Sequence, residues 1–565
     1  MLAFYDCKGR GDEMTEEHRD IVSAYFEKPE RTSTVSNIPL KELYTPGDVA
    51  DLDYKNDIAD AGEFPYTRGI HPTMYRGKLW TRRVGWGYGT PKDTNQQLKF
   101  LLREGNSALT IFPDLALVEG IDPDHPLAKG EVGRVGVAYY SIEDMAEMME
   151  GIPLHNVSMT LLGATCAAPV IFSLYLAVAK SRGIDFSKLR GTTANDPLHS
   201  HHCRSKEANP IDLALKTAVD VIEFSTKYVP LWNPVSVNSY DMRDMGINAP
   251  QEIAFGLAIA MAYVRGALDR GLEIDNFAPR LSFYCNAGSE LFEEVAKLRA
   301  MRRIWARIMK HKFGAKDEAS LKFRFATHTS GSSLTQQQPL NNLVRIAYQQ
   351  LAAVLGGAQS ANSCSFVEAL SVPTELSQRL ALRTQQILAY ETGVPLVADP
   401  LGGSYYIENL TDTVEEKADA ILEEIEDKGG WLEATRTGWI EREVEAAAMK
   451  YQEEVESKER IIVGVNEFVS NDEDVIPGGV LAVPPTVEEE MISRIESLRQ
   501  RRDAEQTKRA LDNLSKQAKK GEKANLIPFV IEAVEANATM EEIMGTMRVA
   551  LGYSYDPFGM REVAA

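Results

Sequence analysis

Apolar positions along this chain fall into two alternating patterns. Short runs rich in Val, Ile, Leu, Phe and Thr at Ala108–Phe112, Asn156–Met159, Val235–Val237, Arg280–Tyr284 and Lys322–Phe325 predict strands. Between them, apolar residues recur at helical spacing over Ile142–Met149, Pro169–Arg182, Ile211–Lys227, Pro250–Arg270 and Glu290–Lys312. Strand–helix units repeated from about residue 64 to 400 predict an α/β fold, and a closed (β/α)8 TIM barrel is its leading form. Residues 1–60 are polar and irregular, with one helix expected near Thr15 to Phe26, and read as an N-terminal arm. The barrel domain is assigned to 61–410. From about 410 the chain turns to long charged helical stretches (Thr413–Glu426, Glu441–Glu456, Val487–Leu514), so 411–565 reads as a C-terminal helical extension. Its charge runs are expected to be solvated helix faces.

Several predicted strands run into polar or glycine-bearing turns: PDLALVEG after Phe112, NSYDMRD after Val237, NAGSE past Tyr284 and THTSGSS past Phe325. In a barrel of this kind the C-terminal strand ends carry the chemistry, so these turns are where a site is expected.

Composition narrows the classes. The 565 residues carry a net charge of -21, which argues against nucleic acid as a main partner. The five cysteines are scattered and form no CxxC pair, so neither a disulfide framework nor a structural zinc site is predicted, and a reducing cytoplasm fits best. The N-terminus lacks the apolar core of a signal peptide, and the most apolar stretch, near Val170 to Ala179, is too short to span a bilayer. One local exception to the acidity stands out. Phe64 to Asn95 gathers Tyr66, Arg68, His71, Tyr75, Lys78, Trp80, Arg82 and Arg83 among five glycines. Cations beside aromatic rings suit a phosphate-bearing, purine-like ligand.

That strip resembles the adenosylcobalamin-dependent acyl-CoA mutases, the group of methylmalonyl-CoA, isobutyryl-CoA and 2-hydroxyisobutyryl-CoA mutases. Matching segments follow in order: IDPDHPLAKGEVGRVGVA (121–138), WNPVSV…Y (232–240), NFAPRLSF (276–283), LFEEVAKLRAMR (291–302), ALRTQQILAYETGV (381–394), DPLGGSYYIE (399–408) and GVNEF (464–468). The resemblance implies a barrel that threads coenzyme A along its axis, with the acyl group at the strand ends and cobalamin capping that end. It implies an isomerase that rearranges the carbon skeleton of a thioester by radical chemistry supplied by the cofactor. The family's cobalamin domain carries DxHxxG, and none of the nine histidines here has Asp two positions before it. The chain therefore looks like a large, substrate-binding subunit, with adenosylcobalamin bound mainly by a separate small subunit that docks on the helical extension. A heterotetramer and a G-protein chaperone are the further partners the resemblance suggests.

Residue by residue, the resemblance assigns coenzyme A contacts to Tyr75, Lys78, Thr81, Arg83, Thr110, Ser158, Thr160 and Arg280. Tyr240 matches the aromatic that shields the radical, and Asp244 and Glu368 match two glutamates beside the adenosyl ribose. The departures bear on substrate. Asp241 stands where the family has a histidine on the thioester carbonyl, and Ala194 replaces a glutamine there. A protonated Asp241 would donate to that carbonyl and an ionised one would repel it; His328, in place of a glutamine, is a candidate replacement donor. Gly85 replaces a bulky side chain and is expected to open volume beside the acyl group. Phe112 replaces an aspartate that binds a 2-hydroxyl, which disfavours a 2-hydroxyacyl substrate. Arg204 aligns with the arginine that clamps a free carboxylate. Gly85 and Arg204 together suggest an alkylsuccinyl or alkylmalonyl group, with a small branched acyl group (isobutyryl or pivalyl) as the alternative. Loss of the carbonyl contacts leaves open a non-catalytic acyl-CoA-binding scaffold. In HSHHCR (199–204), His199, His201 and Cys203 would share one face of a strand, an arrangement able to ligate zinc or copper, although no metal is assigned.

Overall fold

The computed structural model describes residues 31–204, 206, 208–470 and 475–561. Nine strand segments are all parallel where they pair: β1 (Thr81–Arg83), β2 (Leu109–Ile111), β3 (Met159–Leu162), β4 (Gly191–Ala194), β5 (Trp232–Asn233), β6 (Val235–Asn238), β7 (Leu281–Ala287), β8 (Phe325–Thr329) and β9 (Ser360–Asn362). They pair as β1-β9-β8-β7-β6 and as β2-β3-β4-β5. β5 and β6 are one strand interrupted at Pro234, which has no N–H to give a ladder. Counted so, the strands follow chain order round the sheet as in a TIM barrel. At the β1/β2 seam there is no ladder. Instead the Ser107 amide donates to the Arg82 carbonyl (3.1 Å) and the Arg82 amide to Ser107 Oγ (2.9 Å).

The helices between strands are set by local signals. Thr90 and Asp93 close a capping box ahead of Pro91–Arg103, and Asn248 and Gln251 close one ahead of Ala249–Asp269. The helix Ala168–Ser181 is apolar all round because it is covered on both sides, by the barrel and by the C-terminal helix Ile527–Glu535. The predicted helices of the barrel domain all form within a residue or two of their expected limits, except that Glu290–Lys312 finishes in a π-turn, Ile308–Lys312.

Strand limits moved more. Asn156 and Val157 bond back to the Pro153 carbonyl in a turn, so β3 starts only at Met159. Asp317 caps a short helix, Glu318–Leu321, which pushes β8 on to Phe325. Four short segments (β1, β4, β5 and β9) gave no apolar run to read, because their inward positions are Ser, Thr, Asn and Arg.

The chain divides into two compact units, Met1–Leu43 and Tyr44–Ala565. In the first, Ser33 bridges Pro39; the helix expected near Thr15 to Phe26 and Cys7 lie outside the described residues. In the second, residues 44–60 are fastened to the barrel: Arg307 pairs with Asp57 (2.8 Å), and Asn409 Nδ2 donates to the Asp48 carbonyl (3.1 Å). The helix Tyr405–Asp427 packs on the barrel helices Leu291–Arg307 and Ala249–Asp269. Its acids divide: Glu416, Glu423 and Glu424 are exposed, as expected of a solvated face, whereas Glu408 is buried against Arg299, and Glu415 against Arg303 and Arg307. The stretch Val487–Leu514 is two helices, Thr486–Arg501 and Ala504–Ala518, because Asp503 caps the second. No helix among the described residues is long and apolar enough to cross a membrane.

Candidate active site along the barrel axis

The interior of most (β/α)8 barrels is filled by branched apolar side chains. Here the inward positions are small and polar. Thr110, Thr160, Thr192 and Asn233 stand opposite one another across β2 to β5, and Thr81, Ser360, Ala326 and Tyr284 across β1, β9, β8 and β7. A cavity of about 340 Å³ follows, lined at every level of the axis. Three polar atoms on residues lining it are buried without a partner: Trp86 Nε1, Thr110 Oγ1 and Asn362 Oδ1. Unpaired buried polar atoms are costly, so their convergence on one cavity points to a ligand that satisfies them.

At the strand starts the cavity mouth is cationic. Arg190, Arg280 and Arg324 each directly precede a strand, and Arg324 lines the cavity. Burial lowers both Arg280 and Arg324, and a neighbouring cation lowers each further, Arg190 for Arg280 and Arg280 for Arg324. Lys78, Lys322 and Arg324 together with burial lower His71. Further in, Arg83 is buried and donates to the Leu109 carbonyl (2.8 Å), Ser158 Oγ (3.2 Å) and Ser360 Oγ (3.2 Å), and burial lowers its pKa to about 10. None of these cations pairs with a carboxylate among the described residues. In a chain of charge -21, an acid-free basic mouth is a local anion site.

At the strand ends the cavity is split. One wall, from the ends of β1 to β4, is apolar: Trp86, Phe112, Leu162 and Ala194, with Trp86 stacked on Phe112 at 4.9 Å. The other, from β6 to β9, is polar: Asn238, Tyr240, Asp241, Tyr284, His328 and Glu368. Tyr240 lies against His328 (4.9 Å) and Tyr284 (5.6 Å), and its hydroxyl accepts from the Gly331 amide (3.1 Å). His328 Nδ1 meets the Thr329 carbonyl at 2.8 Å. A ring that donates from Nδ1 has, when neutral, an acceptor at Nε2, so His328 offers a donor there only as the imidazolium.

Asp241 belongs to a buried charge row. Asp196 caps the helix Pro197–Cys203, accepts from the Asn238 amide (2.6 Å) and from the Tyr263 hydroxyl, and faces His199 Nδ1 at 3.3 Å. His199 Nε2 meets Asp241 Oδ2 at 3.0 Å, and Arg204 stands 3.8 Å from the same oxygen. Burial works against charge on both members of the inner pair but loses. Asp196 and Asp241 raise His199 to about 9, and His199, Arg204 and Asn238 hold Asp241 well below the usual carboxylate range. These contacts with two cationic side chains favour the ionised form of Asp241 over the protonated, donating one.

The structure brings most of the expected site residues to this cavity. Thr81, Arg83, Thr110, Ser158, Thr160, Phe112, Ala194, Arg204, Tyr240, Asp241, His328 and Glu368 all line it. Arg280 and Lys78 lie at the cationic mouth. Tyr75 does not join them: it is buried in the core, edge-on to Trp80, with its hydroxyl donating to the Ala358 carbonyl (2.7 Å). Gly85 faces no empty volume, since a Cβ there would lie 2.5 Å from Thr110 Cβ and 3.2 Å from the Phe112 ring. Asp244 has both oxygens taken, by Asn286 Nδ2 (2.7 Å), Ser330 Oγ (2.8 Å), Ser332 Oγ (3.1 Å) and the amides of Gly331 and Ser332 (3.1 and 3.2 Å). It fastens the loop after β8. The HSHHCR segment is helical, not a strand, because Asp196 and Pro197 start a helix there. His201 turns to the Asn209 carbonyl and His202 to Thr435 and Trp431, away from His199. Among the described residues the one compact trio of possible ligands is Asp122, Asp124 and Glu541, and Arg499 and Arg561 already neutralise it.

Sequence reasoning missed Trp86, His199 as a partner of Asp241, and the mouth cations Arg190, Lys322 and Arg324. The last had a readable signal, a basic residue directly ahead of a strand in R-GTTA and R-FATH, as in R-LSFY.

A parallel barrel with an open, hydroxyl-lined axis, basic at one mouth and closed by a polar cluster at the other, defines a ligand-threaded α/β barrel. Residues 33–553 match the family model described as methylmalonyl-CoA mutase. The 2-hydroxyisobutanoyl-CoA mutase large subunit of Aquincola tertiaricarbonis is 39% identical over 525 residues, 92% of this chain and 92% of that one. The methylmalonyl-CoA mutases of Rhizobium meliloti and Escherichia coli are 40% and 38% identical, each over 520 residues, covering 92% of this chain and 72% and 71% of theirs. The chain belongs to the methylmalonyl-CoA mutase family of acyl-CoA mutases.

Proposed function

We propose that this chain is the large, acyl-CoA-binding subunit of an adenosylcobalamin-dependent mutase that rearranges the carbon skeleton of a coenzyme A thioester. The observation that carries the reading is the axial cavity, with its three unpartnered polar atoms and its acid-free basic mouth. Coenzyme A has the matching form: a phosphate-rich head for the mouth, and a slender pantetheine arm whose amides pair with Ser and Thr hydroxyls. The acyl group then lies between the Trp86/Phe112 wall and the Tyr240/Asp241/His328 cluster.

Cobalamin is assigned to a separate small subunit that carries DxHxxG. The name of the Aquincola relative, a large subunit, supports this division. Of the two carboxylates expected beside the adenosyl group, Glu368 fits: it lines the cavity and is held from behind by the Ser365 amide, which donates to Oε1 (2.7 Å), and by the Cys364 thiol. Asp244 does not, its oxygens being used internally. When bound, the cofactor supplies the radical chemistry of the rearrangement. This chain orients the thioester, and Tyr240, packed between Tyr284 and His328, covers the reacting group from solvent.

Between the two acyl classes suggested by the sequence, the geometry favours the branched acyl group over a dicarboxylic one. Arg204 already faces Asp241, and a free carboxylate on the substrate would sit against that ionised acid. The test is isomerisation, followed by chromatography of the thioesters, with a cognate small subunit and adenosylcobalamin across a panel of acyl-CoAs. Tight coenzyme A binding with no turnover of any thioester would favour the scaffold reading instead.

A further inference from the structure

Resting on the acyl-CoA reading above, we propose that the acyl group carries a hydrogen-bond donor, a hydroxyl or an ammonium, on the side turned toward β6 to β9, and that Asp241 is its acceptor. Both contacts of Asp241 with cations, His199 at 3.0 Å and Arg204 at 3.8 Å, use Oδ2. Oδ1 takes part in neither, and about a quarter of the side chain is open to the cavity. The cations therefore fix the carboxylate on one oxygen and leave the other to the Asn238 side chain and the cavity.

The rest of that wall offers acceptors too. With Nδ1 used on the Thr329 carbonyl, His328 has Nε2 left as an acceptor whenever the ring is neutral, and Glu368 adds a second carboxyl group. The opposite wall, Trp86 with Phe112, Leu162 and Ala194, offers carbon and one indole N–H. Phe112 follows β2 and Asp241 follows β6, so the two walls face each other across the barrel. A group that fills both is branched, apolar on one side and donating on the other. A hydroxyl directed at Phe112 does not meet this demand, whereas a donor on the Asp241 side does.

The buried row behind Asp241 explains why it is an acceptor. Asp196 and Asp241 flank His199, and Arg204 completes a set of two acids and two cations whose charges cancel. The Arg204 charge is spent within the set, so it does not clamp an incoming carboxylate. His199 and Asp196 are positioning residues that hold Asp241 charged and oriented without reaching the ligand.

Four thioesters with one skeleton test this by calorimetric titration of the isolated chain: isobutyryl-CoA, 3-hydroxyisobutyryl-CoA, 3-aminoisobutyryl-CoA and methylmalonyl-CoA, with coenzyme A as reference. The expected result is that the hydroxyl or the ammonium thioester binds at least ten-fold tighter than isobutyryl-CoA, and the order of those two identifies the donor. In Asp241→Asn that preference, taken relative to the variant's own coenzyme A affinity, falls below three-fold. Isobutyryl-CoA binding as well as both donors would overturn the proposal, as would methylmalonyl-CoA binding tightest, which returns Arg204 to a carboxylate clamp. These outcomes need only the unaltered chain, so they stand even if the variant does not fold. Loss of coenzyme A binding altogether would instead overturn the acyl-CoA reading on which the proposal rests.

Discussion

Replacing His199 with glutamine tests the charge row directly. His199 has no exposed side-chain surface and sits between Asp196 (3.3 Å) and Asp241 (3.0 Å). Its rise from 6.5 to about 9 corresponds to roughly 3 kcal/mol of favourable interaction for the charged ring. Because the folded-state value is raised, this stabilisation is complete below pH 6.5 and is lost as pH climbs through 9. Asp241 has the opposite sign: its depressed value gives a contribution present above the ordinary carboxylate range and lost as pH falls below it. His199→Gln should therefore be destabilised most near pH 6, by about 3 kcal/mol, and should approach the parent by pH 9.5, where the parent has itself lost the cation. Urea unfolding of both proteins at pH 6.0, 7.5 and 9.5 measures the gap, and a nuclear magnetic resonance titration of the imidazole locates its midpoint near 9. A gap that is the same at all three pH values would refute the charged His199, and with it the account of why Asp241 is ionised.

Arg83→Met removes a buried cation that has no carboxylate partner, so coenzyme A affinity should drop at least ten-fold by calorimetry while the melting temperature stays within about 3 °C of the parent. Gly85→Ala forces a Cβ against Thr110 and should cost about 1–3 kcal/mol in thermal unfolding; an unchanged melting temperature would mean that β1 and β2 have slack at the seam. Lys297→Met leaves the fully buried Glu252 and Glu294 with Arg243 as their one remaining cation, at 3.5 Å from each, and should lower stability by about 3–5 kcal/mol, with recovery when both acids are changed to Gln. Raising salt from 50 to 300 mM should weaken coenzyme A binding several-fold but leave a pantetheine thioester, which lacks the phosphates, nearly unaffected; equal salt dependence would remove the basic mouth from the account.

How legible each part was follows from what the residues must do. The long helices could be read because packing on the barrel demands an apolar stripe and capping residues announce their starts, as at Thr90 and Asn248. The axis strands were read poorly for the same reason that the cavity exists. Thr192, Asn233 and Ser360 point inward where a closed core would place Val or Ile, so the segments carrying them have no alternating apolar signature. Asp244 was legible as a position and not as a state, because its five donors come from Asn286 and the loop 330–332, a loop the chain reaches only some 90 residues later. Tyr75 shares a segment with Arg83 but belongs to the helix turn before β1, whose direction turns its ring into the core. The pairing of His199 with Asp241 links residues 42 apart, and only the adjacency of β4 and β6 brings them together.

The two ends of the barrel impose a direction on whatever threads it. At the strand starts Arg190, Arg280, Arg324 and Lys322 form no ion pair among the described residues, and burial, with repulsion from a neighbouring arginine added, lowers Arg280 and Arg324. At the strand ends no cation is left over: two acids face two cations in the set around His199, and Glu368 adds a further acid. An anionic ligand gains at the first end and gains nothing at the second, so its charged head is held at the starts and its other end is delivered to Tyr240, Asp241 and His328. Polar side chains in place of a packed core cost the barrel interior its usual hydrophobic stabilisation. The surrounding layers offset that cost with buried ion pairs such as Arg299 with Glu408 and Arg303 with Glu415, which tie the helix Tyr405–Asp427 to the wall. The helical extension is in this sense part of the price of an open axis: a barrel hollowed for a ligand needs support from outside itself.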